Sequence, residues 1–391
     1  MRKLLASSFL SFIGLAAQDL AITNARLIIG NGTVINSGTL IVRGGKIVSA
    51  SAGSANTQGL KTIDAKGMSA MPGYIDAHRH INTGPNEKVQ MQQLLEAGYT
   101  TILSGGGPAE GNITLRDHID KGLINGPRII PSGQVRLNTT PEAARAEVRK
   151  MAAIGVKFTG EIALTPIPGP SEKELEVLRA IVDEAKNAGV MVQVHAVTSR
   201  ATVAAVDAGV RLLVHTTNKD WLSQEDAKKV AAAGVKVLTT VGFGSPVFGV
   251  FAEDNQARFR DGKPWPDSIP LTSNVPALHL GEEAGYAPVN SRTLWDAGVV
   301  LGYCTDTGYD PKAGLDHELK ILNVMYSMQD IVKLMGPNTA SYIQMGDQLG
   351  TLEPGKLADL ILLDGNPLDG YWNMLNTKVV LKGGVIVVDK R

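Results

Sequence analysis

Between residues 70 and 303, short apolar runs alternate with longer segments of helical period, and this alternation constrains the chain more than any other feature. Eight such runs stand out, at 70–75, 100–103, 128–131, 157–160, 191–194, 212–214, 235–240 and 299–303. Strands separated by helices pair in parallel, because each crossover returns the chain to the same end of the sheet. The segments 171–188 and 224–233 read as two of the helices. Ser171 with Glu174 makes a capping-box pattern, and Gly189 and Gly234 stand where a helix needs a stop. Eight parallel strands with interposed helices predict an α/β fold closed into a (β/α)8 TIM barrel.

The two ends have another texture. Residues 20–29 and 39–50 alternate or run apolar around turns at Gly30-Asn31-Gly32 and Gly44-Gly45, and 358–363 and 378–388 do the same around Gly383-Gly384. Two half-sets of one kind predict a small β-sandwich domain formed by both chain ends. That divides the chain into residues 18–70 with 346–391 as the sandwich and 71–345 as the barrel. The 391 residues suit a barrel of about 250 residues plus such an accessory.

Residues 1–17 read as an export signal: Arg2 and Lys3 precede an apolar stretch at 4–15, and Ala16 and Ala17 offer a cleavage site. The expected location is periplasmic or secreted, with a mature start near Gln18. The stretch is too short to anchor the chain in a bilayer, so no membrane association is expected after removal of the signal. Formal net charge is zero, so no basic field is available for nucleic acid, and a small-molecule partner is expected. Cys304 is the single cysteine, which excludes an intrachain disulfide; it adjoins an apolar run and is expected to be buried.

Ligand-type residues gather at one end of the predicted strands. His78 and His80 stand two apart after the first run, so their side chains share a side while Arg79 points away. His195 follows 191–194, His215 follows 212–214, and Asp306 follows 299–303. Strand C-termini are where barrel active sites are built. One polar residue in such a place is ordinarily a hydrogen-bonded loop residue; the coincidence of several points to a metal site. The other histidines have no such placement: His118 is expected on an outer helix, His279 in a long loop, and His317 in a polar loop or helix start.

The run Pro72 to His80, the strand-end His195, His215 and Asp306, and the tail Gly350 to Leu360 together resemble the amidohydrolase superfamily over nearly all of the mature chain. The stretch from Leu115 to Arg128 resembles its imidazolonepropionase-like and prolidase-like branch. The resemblance implies a mono- or dinuclear site of divalent metal ions, with zinc expected and iron, cobalt or manganese as alternatives, that activates water against amides, esters or phosphoesters. In dinuclear members a fourth-strand residue bridges the metals, and this chain offers Lys157, to be carbamylated, and Glu161. Glu161 is the expected bridge because it stands at the strand's C-terminal end, and Gly160-Glu161 resembles the enamidase pattern of a glutamate after a glycine. His78, His80 and Asp306 would then hold the more buried metal and His195 and His215 the more exposed one, with Asp306 as the general base. A homo-oligomer is implied by family likeness alone.

The substrate is expected to be a cyclic amide, an N-acyl amino acid or a dipeptide-like amide. A stretch from Gly242 to about Pro288, with Phe243, Phe248, Phe251 and Trp265, reads as a long binding loop or lid, and Gly105-Gly106-Gly107 permits a close backbone approach. The nearest rival is a mononuclear deaminase, which usually carries an acid shortly after the fifth-strand histidine; here Ala196-Val197-Thr198-Ser199 follows His195. A lactone or phosphoester hydrolase on the same barrel and a metal-free binding protein are the remaining readings.

Overall fold

The computed structural model describes residues 18–242, 277–307 and 310–391, with side chains in the stretch after 277 described from 284 onward. The two chain ends do meet. Strands β1 (Leu20–Ile28), β2 (Val34–Arg43), β3 (Lys46–Ala52), β4 (Lys61–Asp64) and β5 (Ser69–Pro72) come from the front. They share one sheet with strands from the back of the chain, β15 (Leu360–Leu363), β16 (Thr377–Lys382) and β17 (Val385–Asp389). Its order is β17-β16-β15-β5-β1-β2-β3, with β4 also on β1. The junction is the antiparallel pair β5–β15, where Leu360 faces Pro72 and Leu363 faces Ser69.

Period-two alternation explains why all four residues of β15 are apolar and buried. Leu360 and Leu362 pack with Leu20, Ile22, Leu40, Val42, Val379 and Leu381 in a core belonging to the terminal strands. Ile361 and Leu363 face the other way into the larger core of the middle region, together with Tyr74, Leu94 and Tyr99.

The middle strands are all parallel and follow one another in chain order. β6 (Tyr74–Arg79), β7 (Tyr99–Ser104) and β8 (Arg128–Ile130) form one ladder. β9 (Ser132–Gly133), β10 (Phe158–Ala163), β11 (Met191–His195), β12 (Leu212–Leu213), β13 (Lys236–Leu238) and β14 (Val300–Gly302) form another. Pro131, which has no N–H to give, separates β8 from β9. At the far edges, the amide of Ala77 donates to the Tyr303 carbonyl at 3.2 Å and that of Asp306 to the His78 carbonyl at 2.9 Å.

The helix Glu172–Ala188 has the expected capping box, with Ser171 and Glu174 bonded reciprocally, and ends on Gly189 at φ +69°. The helix Gln224–Ala232 is also where its period placed it. Two expectations need correction. The run 70–75 is two strands, not one, because Gly73 splits it. The Gly73 amide donates to the Asp359 carbonyl, a β-carbon there would collide with Thr100, and the chain leaves the terminal sheet to start β6 at Tyr74. The stretch read as loop to about Pro288 is helical from Ala277 to Asp296, so His279 has helical backbone and Pro288 sits inside the helix. Phe243, Phe248, Phe251 and Trp265 lie outside the described residues, as do residues 1–17. Among the described residues no helix is long and apolar enough to cross a membrane.

Candidate metal centre

The six residues singled out in the sequence come together at the C-terminal ends of the parallel strands. His78 belongs to β6, and His80 follows its last residue. Glu161 is in β10, two residues before its end, and His195 ends β11. His215 follows β12 and Asp306 follows β14, each after a short connecting stretch.

Glu161 sits among all four histidines. Its Oε2 lies 3.1 Å from His195 Nδ1, 3.2 Å from His215 Nε2 and 3.8 Å from His78 Nε2, and its Oε1 lies 3.8 Å from His80 Nε2. Asp306 faces the same rings from the other side. Its Oδ1 is 2.9 Å from His80 Nε2 and 3.3 Å from His78 Nε2, and its Oδ2 is 3.7 Å from His215 Nε2. The rings of His78 and His80 are 5.1 Å apart, and those of His195 and His215 are 4.5 Å apart. Two triplets have ligand atoms within 4.8 Å of one another: His78, His80 and Asp306, and His78, Glu161 and His215. His195 approaches the second triplet through Glu161.

Electrostatics favour ionised carboxylates at the centre of the cluster. Burial alone would raise the Glu161 carboxyl, but hydrogen bonds from His195 and His215 outweigh it and hold the group well below its usual range. Asp306 is likewise driven up by burial and held well down by His78 and His80. The hydrogen bond to Asp306 raises His80, whereas burial lowers His215. A neutral imidazole nitrogen and an ionised carboxylate are the forms that bind metal.

The decisive observation is an unmet need. His78 is fully buried, and its Nδ1 has no partner, while its Nε2 and Asp306 Oδ1 stand within ion-pair distance of each other without a well-directed hydrogen bond. Buried polar atoms are nearly always paired, because an unpaired one loses its hydration without compensation. A divalent cation among these oxygens and nitrogens would satisfy Asp306 Oδ1 and one His78 nitrogen, so the donor set fits such an ion.

The glycines serve this packing. A β-carbon on Gly105 would stand 2.8 Å from His78 Nε2, and one on Gly160 would stand 2.9 Å from the Gly106 Cα. The close approach expected of Gly105-Gly106-Gly107 therefore includes one to the buried histidine itself. The Glu161 amide is held by the Gly105 carbonyl at 3.2 Å. Lys157 is exposed and precedes β10, at the strand end remote from the histidines.

The remaining residues divide. His118, on the helix Ala109–Asp120, pairs with Glu87 at 2.6 Å and stands apart from the cluster. His317 corrects its expectation: it is buried within the helix Pro311–Met325, and burial, aided by the Lys320 charge, pushes it down to about 4. Its neighbour Glu318 went unnoticed in the sequence. It is fully buried and accepts from the Thr239 hydroxyl at 2.7 Å and from the amides of Val241 at 3.0 Å and Gly242 at 2.5 Å. Burial pushes it up to about 7 despite those bonds. A Glu in an apolar helical face, Leu315-x-x-Glu318-Leu319, was the available signal. Cys304 is buried as expected, with its Sγ 2.8 Å from Thr240 Oγ1. A cavity of about 350 Å³ opens beside His80, bordered by Asn82, Gln90 and Asp310.

Strand-end histidines and carboxylates converging at one end of a parallel α/β scaffold are the arrangement of a metal-dependent hydrolase site. The family model for the amidohydrolase family matches residues 69–387, and the chain belongs to that family. The chain is 22% identical over 420 residues to an imidazolonepropionase of Caldanaerobacter subterraneus subsp. tengcongensis, spanning 90% of this chain and 91% of that protein. Among solved structures it resembles a proposed prolidase from Bifidobacterium longum, at 25% identity and a TM-score of 0.78, covering 96% of this chain and 97% of that one. It also resembles a prolidase complexed with N-methylphosphonate-L-proline, at 22% identity and a TM-score of 0.74, covering 95% and 99%. The chain is therefore a TIM-barrel-like α/β hydrolase of the imidazolonepropionase- and prolidase-like branch, an enzyme of carbon–nitrogen bonds other than ordinary peptide bonds.

Proposed function

We propose that the chain hydrolyses a small cyclic amide, an N-acyl amino acid or a dipeptide-like amide at a centre of two divalent metal ions, with zinc first among the candidates. The carrying observation is the convergence of His78, His80, Glu161, His195, His215 and Asp306, with His78 and Asp306 Oδ1 buried and lacking well-directed hydrogen bonds. In this reading His78, His80 and Asp306 hold one ion, His195 and His215 the other, and Glu161 lies between them. When bound, such ions supply Lewis acidity and lower the pKa of water.

The chain's own groups supply the proton handling. Asp306 Oδ2 points toward His215 while Oδ1 faces the His78–His80 pair, so one carboxylate can hold position with one oxygen and take up a proton on the other. It then returns that proton to the departing nitrogen. Glu161, held ionised, is ready-made as an anionic bridge and needs no carbamylation; the exposed, remote Lys157 supports the same choice. The narrower substrate choice draws support from the imidazolonepropionase and prolidase likenesses.

The same reading closes the parallel strands into a (β/α)8 barrel at 71–345, carried by the two backbone bonds between β6 and the stretch just after β14, and groups 18–70 with 346–391 as the β-sandwich domain, supported by the one core those two chain ends share. It makes residues 1–17 an export signal, which puts the mature enzyme in the periplasm or outside the cell, free of membrane and nucleic acid. Elemental mass spectrometry on protein purified without chelators tests the centre. About two transition-metal equivalents per chain are expected. A single equivalent would overturn the dinuclear assignment, and none after reconstitution would overturn the metal reading.

A further inference from the structure

Beneath the proposed ligands lies a charged network that no metal role explains. Asp76 in β6 is fully buried. Its Oδ1 accepts from the amide of His78 at 3.2 Å and from the amide of Thr305 at 3.2 Å. Its Oδ2 accepts from the Thr305 hydroxyl at 2.6 Å and stands 3.5 Å from Arg79 Nη1, which also donates to the Thr305 hydroxyl at 3.0 Å. Arg79 is itself buried, with its guanidinium 5.9 Å from the centre of the Tyr99 ring.

The position of this network matters. Asp76 is two residues before His78, and Thr305 is one residue before Asp306. β6 and β14 lie in separate ladders, so register between their exits depends on the few bonds that cross there. Asp306 has φ +50°, a left-handed conformation that L-residues with a β-carbon adopt only when their surroundings hold them in it. Thr305 is held at its amide and hydroxyl by Asp76, and Asp306 is held at its amide by the His78 carbonyl at 2.9 Å. An ion pair in an apolar core adds little net stability compared with well-packed hydrophobic residues, so its use here is geometric.

We infer that Asp76 is a positioning residue whose carboxylate, with Thr305 and Arg79, locks the exit of β6 to the exit of β14 and so holds Asp306 opposite the His78–His80 pair. This rests on the metal reading above. The lock acts on metal affinity, since ligands left loose lose the preorganisation that their supporting hydrogen bonds give.

The test is titration of chelator-treated protein with cobalt(II) alone, following affinity and visible absorption in the wild type and in Asp76→Asn, Thr305→Val and Thr305→Ser, with circular dichroism to verify folding. Asp76→Asn and Thr305→Val are expected to weaken cobalt binding by ~10–100-fold and to alter the spectrum, while Thr305→Ser, which keeps the hydroxyl, stays within about threefold of wild type. Folded Asp76→Asn and Thr305→Val proteins with wild-type affinity and spectrum would overturn the inference, and so would Thr305→Ser behaving like Thr305→Val. If Asp76→Asn does not fold, Thr305→Val, which removes one hydroxyl, decides. A wild type that takes up no cobalt overturns the metal reading itself, and the lock with it.

Discussion

The terminal sheet and the exits of the parallel strands are both buried, but they are built on opposite principles. Around β1, β2, β15 and β16 the interior is packed with leucine, isoleucine and valine. At the strand exits the interior holds Asp76, His78, Arg79, His215 and Glu318, several of them fully enclosed. The first region gains stability by removing apolar surface from water. The second gives up stability for polar groups placed for use, including the buried His78 nitrogens that lack well-directed hydrogen bonds. One chain therefore separates the work of staying folded from the work of chemistry.

That separation can be broken from either side. The largest effect is expected from Asp306→Asn, which keeps the shape and removes the proton acceptor. Turnover of an accepted amide should fall ~10²–10⁴-fold with little change in KM, and the thermal midpoint should hold or rise. Normal turnover by the Asp306→Asn protein at neutral pH would remove Asp306 from the proton path. Leu362→Ala should do the reverse: its burial in the terminal core predicts a loss of ~2–5 kcal/mol in denaturant unfolding, with unchanged turnover per folded molecule. If activity fell in proportion to stability lost, the two regions would be coupled.

Glu318 sharpens the comparison through pH. Burial raises it from an ordinary 4.5 to about 7. The folded chain keeps this proton up to pH near 7, whereas the unfolded chain releases it near 4.5. Its contribution is thus fully present below the unfolded value and is lost as pH rises through the folded one, by roughly 3 kcal/mol. Unfolding free energies of wild type and Glu318→Gln, measured across that window, should diverge in slope, the wild type falling more steeply. Parallel curves would show that Glu318 does not titrate there. The smallest effect belongs to a site outside both regions. Ser171→Ala removes one half of the capping box on the helix Glu172–Ala188 and should cost about 1 kcal/mol with no change in activity.

Much of the site was legible in the sequence. Each proposed ligand follows or ends a short apolar run, and the strand period puts His78 and His80 side by side. Glu161 stood out over Lys157 for the same reason, by its place along the strand. What escaped notice was polar residues inside apolar segments. Asp76 lies in Tyr74-Ile75-Asp76-Ala77 and Glu318 in an apolar helix face, and neither sequence context names a partner. Their partners, Thr305 and Thr239 with Val241 and Gly242, are remote in the chain. His317 misled for the opposite reason, since its polar neighbours Asp316 and Lys320 hide a buried position.

Local pattern along the chain settles what depends on neighbours a few residues away. It set the alternation of strand and helix, the caps at Ser171 and Gly189, and the placing of each ligand-type residue at a strand exit. These follow from periodicity and local hydrogen bonding, which are short-range. Where Gly73 breaks the first run, which ring meets which carboxylate, and that Asp76 reaches across to Thr305 follow from long-range packing alone. Those contacts join segments far apart in the chain. They are selected by how whole strands stack and stagger, which no local pattern encodes.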